Sequence, residues 1–273
     1  MPRECQMIRK CGLRQCLIAV VVLISAARHI GGDTVPSVQE TRQATADRPR
    51  AAVGESDRTA ATEVLGILTK GSGGTNARAS EIAELKEYVA RNPPSHEVAV
   101  AELLIGHALS ESRDETERQE AKEYLRQVLK RFPGTRELRL AEVDFSLLEM
   151  VEAAGGRLTP PSDALHTAWG RVRDAASRAL PDYRALDSAT DPLMVAARRR
   201  LGWSEQQPLT AAAEMRIAQL TIGVEGFKQA EGLLHALVTE YGGTPSGKWA
   251  EGVLKAYAES AAHPLGTPRE GRQ

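Results

Sequence analysis

Catalysis needs particular side chains at converging positions, and this chain offers few candidates. It has six histidines: His29, His96, His107, His166, His235 and His263. No two are four residues apart and no H-E-x-x-H occurs, so no helix face presents the imidazole pair of a zinc protease. The three cysteines, Cys5, Cys11 and Cys16, all lie in the first 16 residues. Their spacing matches no zinc pattern, which needs four converging ligands. The rest of the chain has neither a thiolate nucleophile nor an internal disulfide. Gly71-Ser72-Gly73-Gly74 lacks the Lys-Ser/Thr ending and the preceding strand of a phosphate loop, and reads as a linker. Gly-x-Ser-x-Gly is absent, and a nucleophile elbow would lack its strand. Acidic residues such as those from Glu111 to Glu120 fall on outward helix faces. Arg198-Arg199-Arg200 is a small basic cluster that could touch an anionic lipid or an acidic partner. The reading is therefore no catalytic residue, no metal and no cofactor. The alternative kept open is an all-α enzyme, lytic or lipid-acting, which would need a cleft holding a buried acid of shifted pKa.

The elements that would position any of these residues are helical. Aromatic residues make up 4% of the 273 and hydrophobic residues 42%, while Ala, Leu, Glu and Arg are plentiful. Those four are helix formers. The β-branched and aromatic runs that mark strands are scarce outside Ile18 to Ile24. Net charge is −1 for the whole chain. Beyond residue 27 there are 31 basic and 35 acidic residues, a net charge of −4. That balance lacks the basic footprint of a nucleic-acid binder.

Residues 1–27 read as a signal peptide or N-terminal anchor. A basic opening precedes the apolar run Cys16 to Ala27, and Ser25 and Ala27 are small residues where a signal peptidase would read them. The run is 12 residues long, against about 20 for a membrane span. The expected location is exported, periplasmic or secreted, with anchoring by residues 16–27 as the alternative. The membrane would then be touched only through an uncleaved leader. No lipidation cysteine follows the run. Residues 28–57 are polar, with Pro36 and Pro49, and read as a flexible linker.

Residues 58–261 read as a chain of helices. Expected spans are Arg58–Lys70, Ala77–Asn92, Glu97–Ser110, Glu115–Phe132, Arg136–Ala154, Ser162–Leu180, Pro192–Leu201, Leu209–Gly223, Gly226–Tyr241 and Ser246–Ala261. Apolar stripes such as Ile82, Leu85, Tyr88 and Val89 support them. Ser95 and Ser162 are placed to cap. Pro181 to Asp191 reads as a turn-rich connector, and Trp249, Val253, Leu254 and Tyr257 as the inward face of a closing helix. Residues 262–273 carry Pro264, Gly266 and Pro268 and read as a disordered tail.

Part of this run repeats. Tyr124–Thr135, YLRQVLKRFPGT, returns as Leu233–Thr244, LLHALVTEYGGT, with Ala121 and Ala230 preceding at the same offset. The separation of 109 residues fits three units of about 34 with about seven inserted. A weaker match aligns Leu85, Val89, Arg91 and Pro93 with Leu125, Leu129, Arg131 and Pro133.

At these residues the chain resembles the tetratricopeptide repeat family, whose pattern is W-x2-L-G-x2-Y, then A-x3-F, then P. Here Glu102, Ile105, Gly106, Leu109, Ala121, Leu125 and Pro133 follow it. Glu214, Ile217, Ala218, Thr221, Ala230, Leu234 and Gly242 follow it a second time. The opening aromatic is missing in both, and the first unit carries about three extra residues around Ser112 to Glu115. The resemblance covers two units closely and Arg58 to Ala261 loosely. An irregular helical bundle is the alternative fold.

The resemblance implies an all-α fold of antiparallel helix pairs stacked as a right-handed solenoid. Gly106 and Ala218 would let paired helices approach closely, against Ala121 and Ala230. The first helix of each pair would line a concave surface. Leu103, His107 and Ser110 in one unit, and Met215, Gln219 and Ile222 in the other, would then face a protein or peptide partner. Some family members bind C-terminal carboxylates with a basic clamp, but Leu103 and Met215 stand where that clamp has lysine. An extended or helical peptide segment suits the groove better. The expected function is a scaffold or adaptor, with a membrane-anchored accessory subunit as the alternative.

Overall fold

The computed structural model describes residues 55–70, 74–155, 162–202 and 207–262. The expected leader, nearly all of the expected linker and the tail beyond Ala262 lie outside the described residues. The chain divides into two units, 1–61 and 62–273; only residues 55–61 of the first, the start of one helix, are described.

Among the described residues there are ten helices and no strand. They are α1 (Glu55–Lys70), α2 (Gly74–Arg91), α3 (His96–Ser110), α4 (Glu115–Arg131), α5 (Arg136–Ala154), α6 (Asp163–Asp187), α7 (Pro192–Leu201), α8 (Leu209–Val224), α9 (Phe227–Tyr241) and α10 (Pro245–Ala262).

Most helix starts follow from local sequence. The first amides of a helix have no intrahelical acceptor, and a short polar side chain supplies one. The Ser95 hydroxyl accepts from Val98 N at 3.3 Å, Asp114 from Thr116 N at 2.7 Å, and Thr135 from Leu138 N at 3.2 Å. Ser162 accepts from Leu165 N at 3.2 Å, and Asp191 from Leu193 N at 3.0 Å. Gly155 ends α5 with φ of 51°, a left-handed conformation that glycine enters without a Cβ penalty. The opening of α8 is one exception, as is that of α9 after Gly226. Pro208 at the start of α8 makes no side-chain cap. Asp187, the last residue of α6, does the capping instead: its carboxylate accepts from Leu209 N at 2.7 Å, Thr210 N at 3.0 Å and Thr210 Oγ1 at 2.7 Å.

The expected break after Leu180 does not occur. α6 continues through Pro181 to Asp187. Proline removes one helical hydrogen bond and crowds the preceding turn, but Pro181 is on the exposed side. The next turn is held from outside the helix. Arg139 of α5 grips Asp182 with two bonds, Nε to Oδ2 at 2.6 Å and Nη2 to Oδ1 at 2.9 Å, and Leu186 is buried.

Within residues 62–273 the helices pack largely in chain order. α2 lies on α3, and α3 pairs with α4. Both α3 and α4 meet α5, which pairs with α6. α6 meets α8, α8 pairs with α9, and α10 packs on both α8 and α9. α7 departs from this order, packing on α3 and α6. α3 is buried almost all round, from Glu97 to His107 and again at Leu109.

The small residues of the repeat sit where helices meet. A Cβ on Gly106 would lie 2.6 Å from Leu125 Cδ2 and 3.5 Å from the Ala121 carbonyl oxygen, too close for the first contact. Ala121, Leu125, Ala218, Ala230 and Leu234 are all fully buried. Trp169 of α6 is also buried, and its Nε1 donates to Glu225 at the end of α8 at 3.0 Å. α10 closes the last core with Trp249, Val253 and Leu254 partly buried. Tyr257, expected inward, is exposed but stacks on Phe227 with ring centroids 3.6 Å apart.

Candidate functional site

The residues expected to line a groove are divided by the structure. Leu103, His107 and Met215 are buried, with 2%, 8% and 7% of their surface exposed. Ser110, Gln219 and Ile222 are half-buried, and Ile222 rests on the core that contains Met215. A partner could therefore touch Ser110, Gln219 and Ile222, but Leu103, His107 and Met215 present almost no surface. Their burial has a simple cause: α3 is surrounded by α2, α4, α5 and α7, and Met215 is enclosed with Leu234, Leu237 and Ala250.

His107 is instead the centre of an ionic cluster drawn from five helices. Its Nδ1 lies 2.8 Å from Asp144 Oδ2 of α5. Its Nε2 lies 3.9 Å from Glu111 Oε1, just past the end of α3. Glu111 accepts from Arg78 Nη2 of α2 at 2.8 Å, and the same nitrogen donates to the Ala108 carbonyl at 2.7 Å. Arg216 of α8 and Tyr183 of α6 stand within electrostatic reach of His107 and Asp144. The Ser110 hydroxyl donates to the His107 carbonyl at 2.8 Å, not to its ring, so no serine–histidine relay forms.

The electrostatics move the imidazole and its carboxylates in opposite directions. Burial alone would push the His107 imidazole down, but the Asp144 carboxylate, with Glu111 behind it, outweighs that and holds it above the ordinary histidine value. Burial would raise Asp144 and Glu111, yet His107 brings both below the usual carboxylate range, aided by Arg78 at Glu111. Tyr183 is pushed upward by burial, and Asp144 adds to it. The ring thus joins α3 to α5 through its contact with Asp144. A general base needs a pKa near the working pH and a reachable free nitrogen.

One other polar feature was a candidate in the sequence. The Arg198–Arg200 cluster turns largely inward on the chain. Arg200 Nη2 donates to the Leu68 carbonyl at 2.5 Å and meets Glu81 Oε2 at 2.7 Å, while Arg198 Nη1 donates to the Asp187 carbonyl at 2.7 Å. A surface cleft of about 350 Å³ beside α1 and α2 is lined by Glu63, Lys70, Glu84, Glu87 and Arg91. Its walls are exposed ion pairs, Arg91 with Glu63 at 2.9 Å and Lys70 with Glu84 at 3.6 Å. Such pairs contribute little binding chemistry. Among the described residues, no three His, Cys, Asp or Glu side chains converge on a point where a metal would sit. No described helix is long and apolar enough to cross a membrane.

No known protein family, no curated protein and no solved structure matches this chain.

Sequence reasoning singled out His107 but missed its partners. Asp144 carries a legible signal: it lies four residues from both Leu140 and Leu148, on the buried stripe of α5. An unpaired aspartate there would be costly, so a cation had to face it. Arg78, Arg216 and Tyr183 carry no such mark, because only the packing of distant helices brings them in.

Proposed function

We propose that this chain is an exported, non-enzymatic helical-repeat scaffold, a tetratricopeptide-like right-handed solenoid that binds a segment of another protein. One observation carries the reading. The close contact of Gly106 with Leu125 and Ala121 has its counterpart in buried Ala218, Leu234 and Ala230, at the spacing the repeat predicts. Packing in chain order adds support, since stacked repeats bury a continuous core through nearest-neighbour contacts. Export rests on the residues before Arg28. The partner-facing positions are Ser110, Gln219 and Ile222, with Leu103, His107 and Met215 as the buried layer behind them.

The test is crosslinking capture from native extract with the full chain, tagged at its C-terminus. A stoichiometric partner should be recovered, and a Gln219→Arg, Ile222→Glu double variant should lose it while keeping its helical circular dichroism. Retention of that partner by the folded variant removes the groove assignment. A second reading, an accessory subunit anchored by residues 16–27, rests on the apolar run itself. Mass spectrometry of the mature N-terminus separates the two: a start at Arg28 ends the anchored form.

A further inference from the structure

α7 is inserted between two helix pairs without belonging to either. The joint it interrupts is complete without it. α6 packs directly on α8, and the Asp187 carboxylate fastens the end of α6 to the first amides of α8. α7 therefore lies between two points of the chain, Asp187 and Leu209, that are held together at its base. It reaches helices from much earlier in the chain. Met194 meets Arg136 at the start of α5. The body of α7 lies on α3. Arg200, at the last turn, holds Glu81 of α2 and the Leu68 carbonyl near the end of α1.

The contact has the form of a helix lying in a groove. Leu193, Met194, Ala197 and Leu201 are buried, at positions i, i+1, i+4 and i+8. One apolar stripe thus faces the chain, and Arg200, next to its last member, adds a cation on Glu81. Amphipathic helices dock into protein grooves by such anchors. The polar match is incomplete: Arg200 Nε is buried with no hydrogen-bond partner, and an unmet donor weakens a contact.

We infer that α7 occupies, within its own chain, the seat for a partner's short amphipathic helix carrying apolar residues at i, i+4 and i+8 and an arginine or lysine beside the last of them. The partner binds by displacing α7, with its cation on Glu81. This rests on the scaffold reading and names the class of segment that the scaffold accepts. A tethered helix at an effective concentration on the order of millimolar competes with anything added in trans. The seat is therefore closed to weak, unspecific helices.

The experiment is a fluorescence-anisotropy titration of a labelled peptide of residues 190–202 against the full-length chain. Wild type should bind weakly. Arg200→Glu sets a carboxylate against Glu81 and frees α7, and that chain should bind the peptide on the order of a hundredfold more tightly. Glu81→Arg should abolish binding of the native peptide and restore binding of a peptide carrying Arg200→Glu. Equal binding by folded wild-type and Arg200→Glu chains overturns the inference, as does failure of the charge swap. Hydrogen exchange on the unmodified chain tests the same point without any variant. The amides of α7 should open more readily than those of α6 and α8; opening only together with them makes α7 part of the core and refutes the seat. The two readings fail separately. Peptide binding with no captured protein leaves the seat and removes the scaffold. A captured partner indifferent to Arg200→Glu does the reverse.

Discussion

The pairs α3–α4 and α8–α9 carry the same sequence motif and solve its problems with different neighbours. In the first pair, Glu102 is fully buried and is met by Arg131 of its own pair. Burial raises its carboxyl, Arg131 opposes that, and Oε2 is left without a partner. In the second pair the residue matching Arg131 is Glu240, a like charge. Burial and Glu240 both raise Glu214, and relief comes from Arg184 of α6 at 3.8 Å. The helix starts differ in the same way. Ser95 and Asp114 cap α3 and α4 from within, whereas Asp187 of α6 caps α8, and α9 begins at Gly226 with φ of 99°. For this glutamate and for its helix starts, the first pair is locally sufficient. The second depends on α6, so a repeat can keep its apolar spacing while its polar supports migrate to other elements.

The largest effect should come from removing the support of Glu102, set against removal of the weaker support of Glu214. Arg131→Ala strands a buried carboxylate and should lower stability by about 3 kcal/mol, the lower end for a broken buried pair because Arg131 is partly exposed. Arg184→Ala removes a long, mostly exposed contact and should cost less than about 1 kcal/mol. Urea melts of both variants decide it; similar losses would mean that the two pairs are supported alike.

The helix contacts come next. Gly106→Ala places a methyl group 2.6 Å from Leu125. Overpacking should cost about 2 kcal/mol, reduced by the better helix propensity of alanine. Ala218→Gly opens space instead and should cost about 1 kcal/mol. Thermal melts that show Gly106→Ala to be the more stable protein would place the close approach elsewhere.

The smallest effect separates His107 from its counterpart Gln219 through pH. His107 is raised in the folded chain, so its contribution is fully present below about pH 6.5 and is lost as pH rises through the folded value. Asp144 and Glu111 are lowered, so theirs is present above about pH 4.5 and fades as pH falls further. Stability from this cluster should peak between those limits. His107→Gln, which installs the residue of the second pair, should flatten the alkaline side of a melting-temperature profile. An unchanged profile would mean that the ring carries no proton at the peak.

Local patterns made the helices legible. Arg136–Ala154 and Pro192–Leu201 come out to the residue because a cap and a stop flank each. Leu180 reads as an end because proline speaks only for its own turn, and the grip of Arg139 on Asp182 is invisible in the local sequence. Gly106 was legible because a missing side chain within an apolar stripe implies a close neighbour. His107 stood out as a histidine among apolar residues, but its role was set by Asp144, 37 residues away, and by Arg78, Arg216 and Tyr183 on other helices. Leu103 shows almost no surface because four helices surround α3, and Met215 because Leu234, Leu237 and Ala250 enclose it.

The Asp187 clasp also bears on how such a chain can change over generations. Enlarging a loop whose ends are already pinned adds little closure entropy, about 0.6 kcal/mol for each doubling of its length. With Leu209 and Thr210 fixed to α6, residues added between Asp187 and Leu209 outside α7 leave the joint of α6 and α8 in place. One carboxylate thus marks a tolerant splice point inside an otherwise tightly stacked protein.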